Sequence, residues 1–152
     1  MEINEHIKSW YVQWLYIESL YSKYAGRYHL TRATMTALDE IYHHEDGCSQ
    51  KDICQVLNIP KQTVSSVMSN LEKKGFVYKK ECVTDKRLHL YYLTPSGCAL
   101  CEEIIASLDK IEFEAFNQLS QKDREDFTRI NVRLTQLIEQ GMNGGENNGN
   151  TR

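Results

Sequence analysis

Between Ser49 and Pro95 the chain reads SQKDICQVLNIPKQTVSSVMSNLEKKGFVYKKECVTDKRLHLYYLTP. Ser49 followed by Asp52 is a helix-start pattern, residues 58–60 (Asn-Ile-Pro) predict a turn, and apolar residues recur at helical spacing on both sides of that turn. Residues 76–82 and 88–93, rich in aromatic and branched side chains around a polar loop, predict a two-stranded ribbon. Helix, turn, helix and ribbon in this order are the layout of a winged helix-turn-helix domain.

The rest of the chain has mostly helical periodicity. Residues 5–25 predict a helix with an unusually wide apolar face, residues 31–44 a second helix, residues 94–119 a long one, and residues from Ser120 a last one. We therefore predict a mainly α fold with a small β-ribbon. Its parts are a winged helix-turn-helix domain at 31–94, a helical dimerisation domain formed by N- and C-terminal helices at 5–30 and 95–140, and a disordered Gly/Asn-rich tail at 141–152.

Composition narrows the class of protein. The 152 residues are 41% hydrophobic and 26% charged, which is typical of a globular domain. No apolar run approaches the roughly 20 residues that cross a bilayer, and the N-terminus lacks the features of a signal peptide, so we expect a cytoplasmic protein without a membrane segment. Five scattered cysteines are a poor fit to a secreted disulfide framework. We expect Cys98 and Cys101 to be small buried side chains of a helix, not half of a zinc site.

Charge is unevenly distributed along the sequence. The whole chain carries −3, but residues 51–92 hold eight Lys and Arg against four acids, which makes this segment +4 and the remainder −7. Such asymmetry can turn a basic face toward phosphate while the acidic part points away, although a solvated charged surface would give the same counts.

One side of the helix predicted from Lys61 to Lys74 suits nucleic acid. Its apolar side (Val64, Val67, Met68 and Leu71) can pack inward, which leaves hydroxyls, an amide and ammonium groups outward. Gln can pair with adenine, Ser donates or accepts, and Lys reaches guanine or a phosphate oxygen. We expect DNA contacts from Lys61, Gln62, Thr63, Ser65, Ser66, Ser69 and Lys73. Sequence discrimination should concentrate at Gln62, Ser65 and Ser66.

The ribbon tip carries Asp85, Lys86 and Arg87. A guanidinium on a thin loop can enter the narrow, electronegative minor groove, so we assign DNA contacts to Lys86 and Arg87. Phosphate would repel Asp85, whose expected role is to pair with Arg87 or with loop amides and orient the wing. A charged hairpin tip without a ligand is the alternative.

The chain resembles the multiple-antibiotic-resistance regulator (MarR) family of bacterial winged-helix transcription factors. The matching stretches are residues 50–57, 61–65, 71–77, 85–87 and 93–97. The resemblance implies an obligate homodimer on a pseudo-palindromic operator of double-stranded DNA, with half-sites roughly 10 base pairs apart. It also implies a repressor that a small molecule, metal or oxidant releases. Two positions depart from the family pattern: Pro60 stands where a Ser, Thr or Asp cap is common, and Ser66 where an Arg is frequent.

The identity of the signal has several candidates. A small aromatic effector would find rings at Tyr11, Trp14, Tyr24, Tyr28 and Tyr42, although stripes of this kind usually pack a dimer. His43, His44, Asp46 and Cys48 can all bind metals, but they straddle a turn without regular ligand spacing, so we predict no metal site. Cys48 and Cys54 are conceivable oxidant sensors, but we expect both to be buried, which disfavours that role.

Other classes of function lack support in the residues. We find no nucleophile with an organised base, no paired catalytic carboxylates and no phosphate-binding glycine loop, so we predict no enzyme, no catalytic residues and no cofactor. A winged helix that binds protein instead of DNA is the remaining alternative. It would not need Arg87 or a basic fourth helix.

Overall fold

The structure, a computed structural model, describes residues 2–82 and 88–144. Within these residues, six helices and three short strands follow one another in the order predicted, with one strand added. They are α1 (Ile3–Arg27), α2 (Arg32–Tyr42), β1 (Cys48–Ser49), α3 (Gln50–Leu57), α4 (Lys61–Lys73), β2 (Val77–Glu81), β3 (His89–Leu93), α5 (Pro95–Asn117) and α6 (Gln121–Gly144). The mainly α fold with a small β-ribbon is confirmed.

Local signals account for most helix ends. The Thr31 side chain accepts a hydrogen bond from Thr34 N at the start of α2, and the Thr94 hydroxyl accepts one from Gly97 N at the start of α5. Helix α6 continues to Gly144, so the first four residues of the predicted tail are helical, and residues 145–152 lie outside the described residues.

The sheet has three antiparallel strands in the order β1-β3-β2. Tyr78 of β2 lies opposite Tyr92 of β3, and their rings stack with centroids 5.6 Å apart. Strand β1 was not predicted. Its two residues pair with β3, Cys48 opposite Tyr91, after a turn that Gly47 makes with a φ of +88°.

Residues up to Ser107 form one compact unit and residues from Leu108 onward form a second. In the first unit α2 packs against α3, α4 and β3. The largest fully buried side chains there are Met35, Leu38, Cys48, Ile53, Val64, Met68, Leu71, Cys101, Ile104 and Ile105. This core fixes the orientation of α3 and α4. Among the described residues, no helix combines the length and the apolar character needed to cross a membrane.

Two burial predictions are wrong. We expect Val56 on the buried side of α3 from its spacing, but it is exposed, because this helix is only eight residues long and Ile53 alone fills its contact with the core. Cys101 is buried as expected, whereas Cys98, one turn earlier on α5, is exposed. Three residues of helix turn a side chain by about 300°, so two cysteines at this spacing need not share an environment.

Candidate nucleic-acid interface

Helices α3 and α4 form a helix-turn-helix whose ends are set locally. Asn58 ends α3 in the left-handed conformation with a φ of 49°. Pro60 precedes α4 without a side-chain cap, and its carbonyl accepts hydrogen bonds from Thr63 N and Val64 N at 2.9 and 3.2 Å. The predicted turn at residues 58–60 is thus present. Helix α4 begins there although Pro60 replaces the capping residue common in the family.

The start of α3 is held by a reciprocal cap. Ser49 Oγ accepts a hydrogen bond from Asp52 N at 3.2 Å, and Asp52 Oδ2 accepts from Ser49 N at 2.9 Å and from Ser49 Oγ at 2.6 Å. The hydrogen bond from the Ser49 side chain holds the pKa of the Asp52 carboxyl below its ordinary value. The cap predicted from Ser49 and Asp52 is confirmed.

We predict that Asp52→Asn lowers the stability of the fold by about 1 kcal/mol at pH 7, the usual cost of a lost helix cap. Because the folded-state pKa of Asp52 is lowered, its contribution is present above the unfolded value of about 3.9 and is lost as pH falls through the folded value. Urea unfolding at pH 7 and at pH 3 should show a smaller acid effect in the variant than in the wild type. Glu45→Gln, in an exposed turn, is the control. Equal acid sensitivity of Asp52→Asn and wild type would contradict the assignment.

Helix α4 presents the predicted polar face to solvent. Val64, Met68 and Leu71 are buried on the opposite side. Six of the seven predicted contact residues are exposed and Ser69 is partly buried. A shallow groove of about 400 Å³ runs along this face and is lined by Gln62, Ser65, Ser66, Ser69, Asn70 and Lys73. Sequence reasoning missed Asn70, although its position four residues after Ser66 on a helix places it on the same face.

The hydroxyls of this face have defined hydrogen bonds. Ser65 Oγ donates to Lys61 O at 3.0 Å and Ser66 Oγ donates to Gln62 O at 3.1 Å, so their remaining capacity is to accept. Gln50 Nε2 of α3 donates to Ser65 Oγ at 2.5 Å and to Lys61 O at 3.1 Å. Ser65 is therefore tied to the neighbouring helix, whereas Gln62 and Ser66 face outward without such a tie.

A second concave region of about 630 Å³ lies where α3, the start of α4 and the ribbon meet. It is lined by Ser49, Gln50, Lys51, Cys54, Lys61, Lys79, Leu88, His89 and Tyr91. Lys51, Lys61 and Lys79, from three different elements, lie close together here and form a region of positive charge. No single segment of the sequence contains all three. Only Lys61 of this set was among the predicted contact residues.

The wing is described up to its base. Cys82 N donates to Leu88 O at 2.8 Å, which extends the ribbon one pair beyond β2 and β3. Asp85, Lys86 and Arg87 lie outside the described residues. Their assigned roles remain predictions.

The five aromatic residues considered for an effector do not form one box. Tyr11 and Trp14 contact each other on the exposed face of α1, with ring centroids 5.9 Å apart. Tyr24 and Tyr28 form a second pair at 5.6 Å, and α1 separates Tyr11 from Tyr24 by roughly 20 Å along its axis. The Tyr24 hydroxyl donates to Ile104 O at 2.9 Å, and burial helps raise its pKa to about 12. Tyr42 contacts His43 instead.

Cys48 and Cys101 do not offer the accessible thiolate that oxidant sensing needs. Cys48 is fully buried, and burial raises the pKa of its thiol to about 12. Burial likewise raises the pKa of Cys101 to about 12. Cys54 is partly buried and lines the concave region described above. Burial of Cys48 is thus confirmed, and it disfavours this residue as an oxidant sensor.

Comparisons with known proteins agree with this geometry. Residues 28–88 match the sequence model of the MarR family. The chain therefore resembles the MarR family over these residues. A curated relative, the HTH-type transcriptional regulator YwhA of Bacillus subtilis (strain 168), is 25% identical over 96 residues, which cover 63% of this chain and 68% of that protein.

Solved structures extend the likeness to most of the length of this chain. The MepR–DNA complex of Staphylococcus aureus is 25% identical with a TM-score of 0.67, covering 88% of this chain and 96% of that one. NMB1585, a MarR family regulator from Neisseria meningitidis, is 22% identical with a TM-score of 0.78, covering 92% and 98%. The resemblance to MarR-family transcription regulators is thus confirmed, and the fold is shared with these proteins.

Proposed function

We propose that this protein is a homodimeric repressor of the MarR family that binds a pseudo-palindromic operator in double-stranded DNA and is released by a small-molecule effector. The observation that carries the proposal is the exposed face of α4, which combines lysines, an amide and hydroxyls on a helix held rigidly by a buried opposite side. Such a helix is what the major groove admits and reads.

The residues of this face divide by chemistry. Gln62 and Ser66 are free to meet base edges, and Asn70 adds an amide at the far end of the same groove. Thr63, Ser65 and Ser69 supply hydroxyls, and Ser65 also links α4 to Gln50. Lys61 and Lys73 contact phosphates at the two ends of the helix. On the wing, Lys86 and Arg87 reach the minor groove, and Asp85 orients the loop.

The concave region at the start of α4 supports the same orientation. Lys51 and Lys79 lie beside Lys61 there, so positive charge continues from α4 toward the ribbon that carries the wing. A DNA backbone running along this path would be neutralised by all three lysines. MepR, whose complex with DNA is solved, has the same fold.

Exposed apolar surface supports the homodimer. Large exposed apolar surfaces usually mark sites of interaction with another molecule. On α1 the exposed large apolar residues are Ile3, Ile7, Trp10, Tyr11, Val12, Trp14, Leu15, Tyr16, Ile17 and Leu20. In the second unit they are Ile111, Phe113, Phe116, Leu119, Phe127, Ile130, Val132, Leu137 and Met142. We assign Tyr11 and Trp14 to the dimer interface, because each is about half exposed on this face.

The remaining aromatic residues are where an effector would act. Tyr24 and Tyr28 are partly buried, pack against each other and lie next to the Arg27 guanidinium, 5.9 Å from the Tyr24 ring. A planar phenolic or other aromatic compound could stack on this pair. If the compound displaced the tyrosine pair, the hydrogen bond from the Tyr24 hydroxyl to Ile104 O on α5 would be disturbed.

Charge reversal tests the DNA proposal. We expect Lys61→Glu and Arg87→Glu each to weaken binding to an operator fragment by at least about tenfold, because each replaces a cation that faces the DNA by a carboxylate that the phosphates repel. Glutamate in the first turn of α4 is favourable for the helix, so Lys61→Glu should fold. Fluorescence anisotropy with fragments selected from the host genome measures the affinity.

Lys110→Glu is the matched control, since it changes the net charge equally at an exposed position of α5 outside the winged helix. For the wild type, log affinity should fall steeply with log salt concentration, and each lost phosphate contact should reduce that slope by about 0.9. A flat salt titration, or equal losses in Lys110→Glu and Lys61→Glu, would refute the interface. Unchanged affinity of Arg87→Glu for a protein partner, with no DNA binding at all, would favour the protein-binding alternative.

A further inference from the structure

The end of α2 and the start of β1 bring three metal-competent side chains together. One ligand atom each from Glu40, His44 and Cys48 lies within 4.8 Å of the other two. Glu40 and His44 are one helical turn apart, and Cys48 follows after a turn. No metal site is predicted from the sequence, because only residues around the turn are considered there. Glu40, the third ligand, lies in α2 before that turn.

The turn that separates the ligands is held in place. Gly47 N donates to His44 O at 3.0 Å, and the Tyr92 hydroxyl donates to Asp46 O at 3.0 Å. A Cβ on Gly47 would lie 2.5 Å from the Tyr92 ring, so the ring closes directly over the turn. Cys48 itself is paired with Tyr91 in the sheet. The distance between His44 and Cys48 is therefore fixed by the contacts of the turn with Tyr92 and by the pairing of Cys48 in the sheet.

The environment is suited to a bound ion. Cys48 is fully buried, the Glu40 side chain is 18% exposed and the His44 side chain is 49% exposed. The cluster is thus closed on the protein side and open to solvent on the His44 side, which provides an entry path and a position for a water ligand. A second carboxylate, Asp52, is engaged by Ser49 and so is not counted among the ligands.

We propose that Glu40, His44 and Cys48 bind a divalent transition-metal ion of the zinc class, with water as a fourth ligand. One carboxylate, one imidazole and one thiolate are a donor set of zinc sites, whereas a sulfur ligand disfavours magnesium and calcium. Metal-ligand bonds of about 2.0 to 2.3 Å place tetrahedral donors roughly 3.5 Å apart, so the present cluster needs only a small contraction.

Binding requires two local exchanges. The thiol proton of Cys48 leaves to solvent as the sulfur bonds to the metal. His44 Nδ1 contacts Glu40 O at 2.7 Å and lies 3.5 Å from Glu40 Oε1. Either His44 Nε2 binds the ion, or Nδ1 gives up its contact with the Glu40 carbonyl and binds the ion instead. Without metal, His44 pairs with Glu40, four residues earlier in the chain, beside the buried Cys48 thiol.

The position of the site would couple it to the helix-turn-helix. Cys48 precedes Ser49, the cap of α3, and its Sγ donates weakly to Ser49 O at 3.7 Å. A metal would join the last turn of α2 to Cys48, two residues before the start of α3. This inference does not depend on DNA binding, since metal affinity is measured on the protein alone.

Cobalt(II) and zinc(II) titrations of the purified, reduced full chain test the site. We expect one Co²⁺ per chain with a thiolate-to-cobalt charge-transfer band and a tetrahedral visible spectrum, both displaced by Zn²⁺. Zinc should raise the melting temperature, since it binds the native state. Glu40→Gln and His44→Gln should weaken Zn²⁺ binding by at least about tenfold, and Cys48→Ser should remove the charge-transfer band.

Cys98→Ser, which changes an exposed thiol on α5, is the control and should bind as the wild type does. Glu40 and His44 are not part of the buried core, so their variants keep the test valid if Cys48→Ser folds poorly. Absence of binding, a cobalt spectrum without a thiolate band, or wild-type affinity in His44→Gln would each overturn the proposal. Failure of DNA binding alone would leave it standing.

Discussion

Gly97→Ala is expected to destabilise the protein by about 3 kcal/mol or more, the upper range for inserting one methyl group into a packed region. A Cβ at this position would lie 1.9 Å from Phe76 O and 2.9 Å from Phe76 C. The obstacle is backbone, so no rotamer change relieves it.

The Phe76 carbonyl cannot move without further loss. It accepts a hydrogen bond from Thr94 N at 3.0 Å, while the Thr94 hydroxyl donates to the adjacent Gly75 O at 2.6 Å and Ser96 Oγ donates to the same oxygen at 2.9 Å. These contacts hold the first turn of α5 against Gly75 and Phe76, the segment between α4 and β2. The close approach of α5 to Phe76, which Gly97 permits, therefore helps to fix the segment that follows α4.

Urea unfolding followed by circular dichroism, at one fixed protein concentration, measures the effect. Gly26→Ala is the matched control, because a Cβ at Gly26 meets nothing within 4 Å. That change should be neutral or stabilising by about 0.5 to 1 kcal/mol, since alanine favours the helix. Equal stability of the two variants would show that α5 does not pack on Phe76 as described.

The second large effect is expected from Trp14→Glu, which should raise the dissociation constant of the dimer by about 100-fold or more. Trp14 is 49% exposed in the single chain, so the substitution removes little from the core of one protomer. In a dimer that covers α1, it would bury an unpaired carboxylate, which is strongly unfavourable. Analytical ultracentrifugation over a concentration series measures the constant.

Val56→Glu is a suitable control, since Val56 is equally exposed but lies on α3, outside the proposed dimer surface. Circular dichroism should show that both variants keep their helices. DNA affinity should fall together with dimerisation in Trp14→Glu, because a single protomer reads one half-site. A wild-type chain that is monomeric at micromolar concentration, or a variant with an unchanged constant, would disprove the role of this face.

Several local features could be predicted from the residues. Ser49 and Asp52 signal a helix start that the structure confirms, and the turn at residues 58–60 separates α3 from α4 as expected. The outward face of α4 follows from the positions of Val64, Met68 and Leu71. These features depend on contacts within a few residues, and such contacts leave a periodic or capping signal in the sequence.

Other features could not be predicted, because they depend on residues far apart in the chain. The strand at Cys48 is two residues long, too short to carry an alternating pattern, and it exists because β3 pairs with it. The lysines at positions 51, 61 and 79 become neighbours only when two helices and the ribbon meet. Likewise, the separation of Tyr11 from Tyr24 along α1 within one chain follows from the length of the helix and not from composition.

Short-range chemistry was thus sufficient for the order of the helices, for the winged helix-turn-helix and for the polar face of α4, because capping, turn formation and amphipathic spacing act between near neighbours. Packing of the chain was needed to place Gly97 against Phe76 and Glu40 beside His44 and Cys48. Those contacts join separate elements, and the burial that stabilises them is a property of the assembled core and not of any segment.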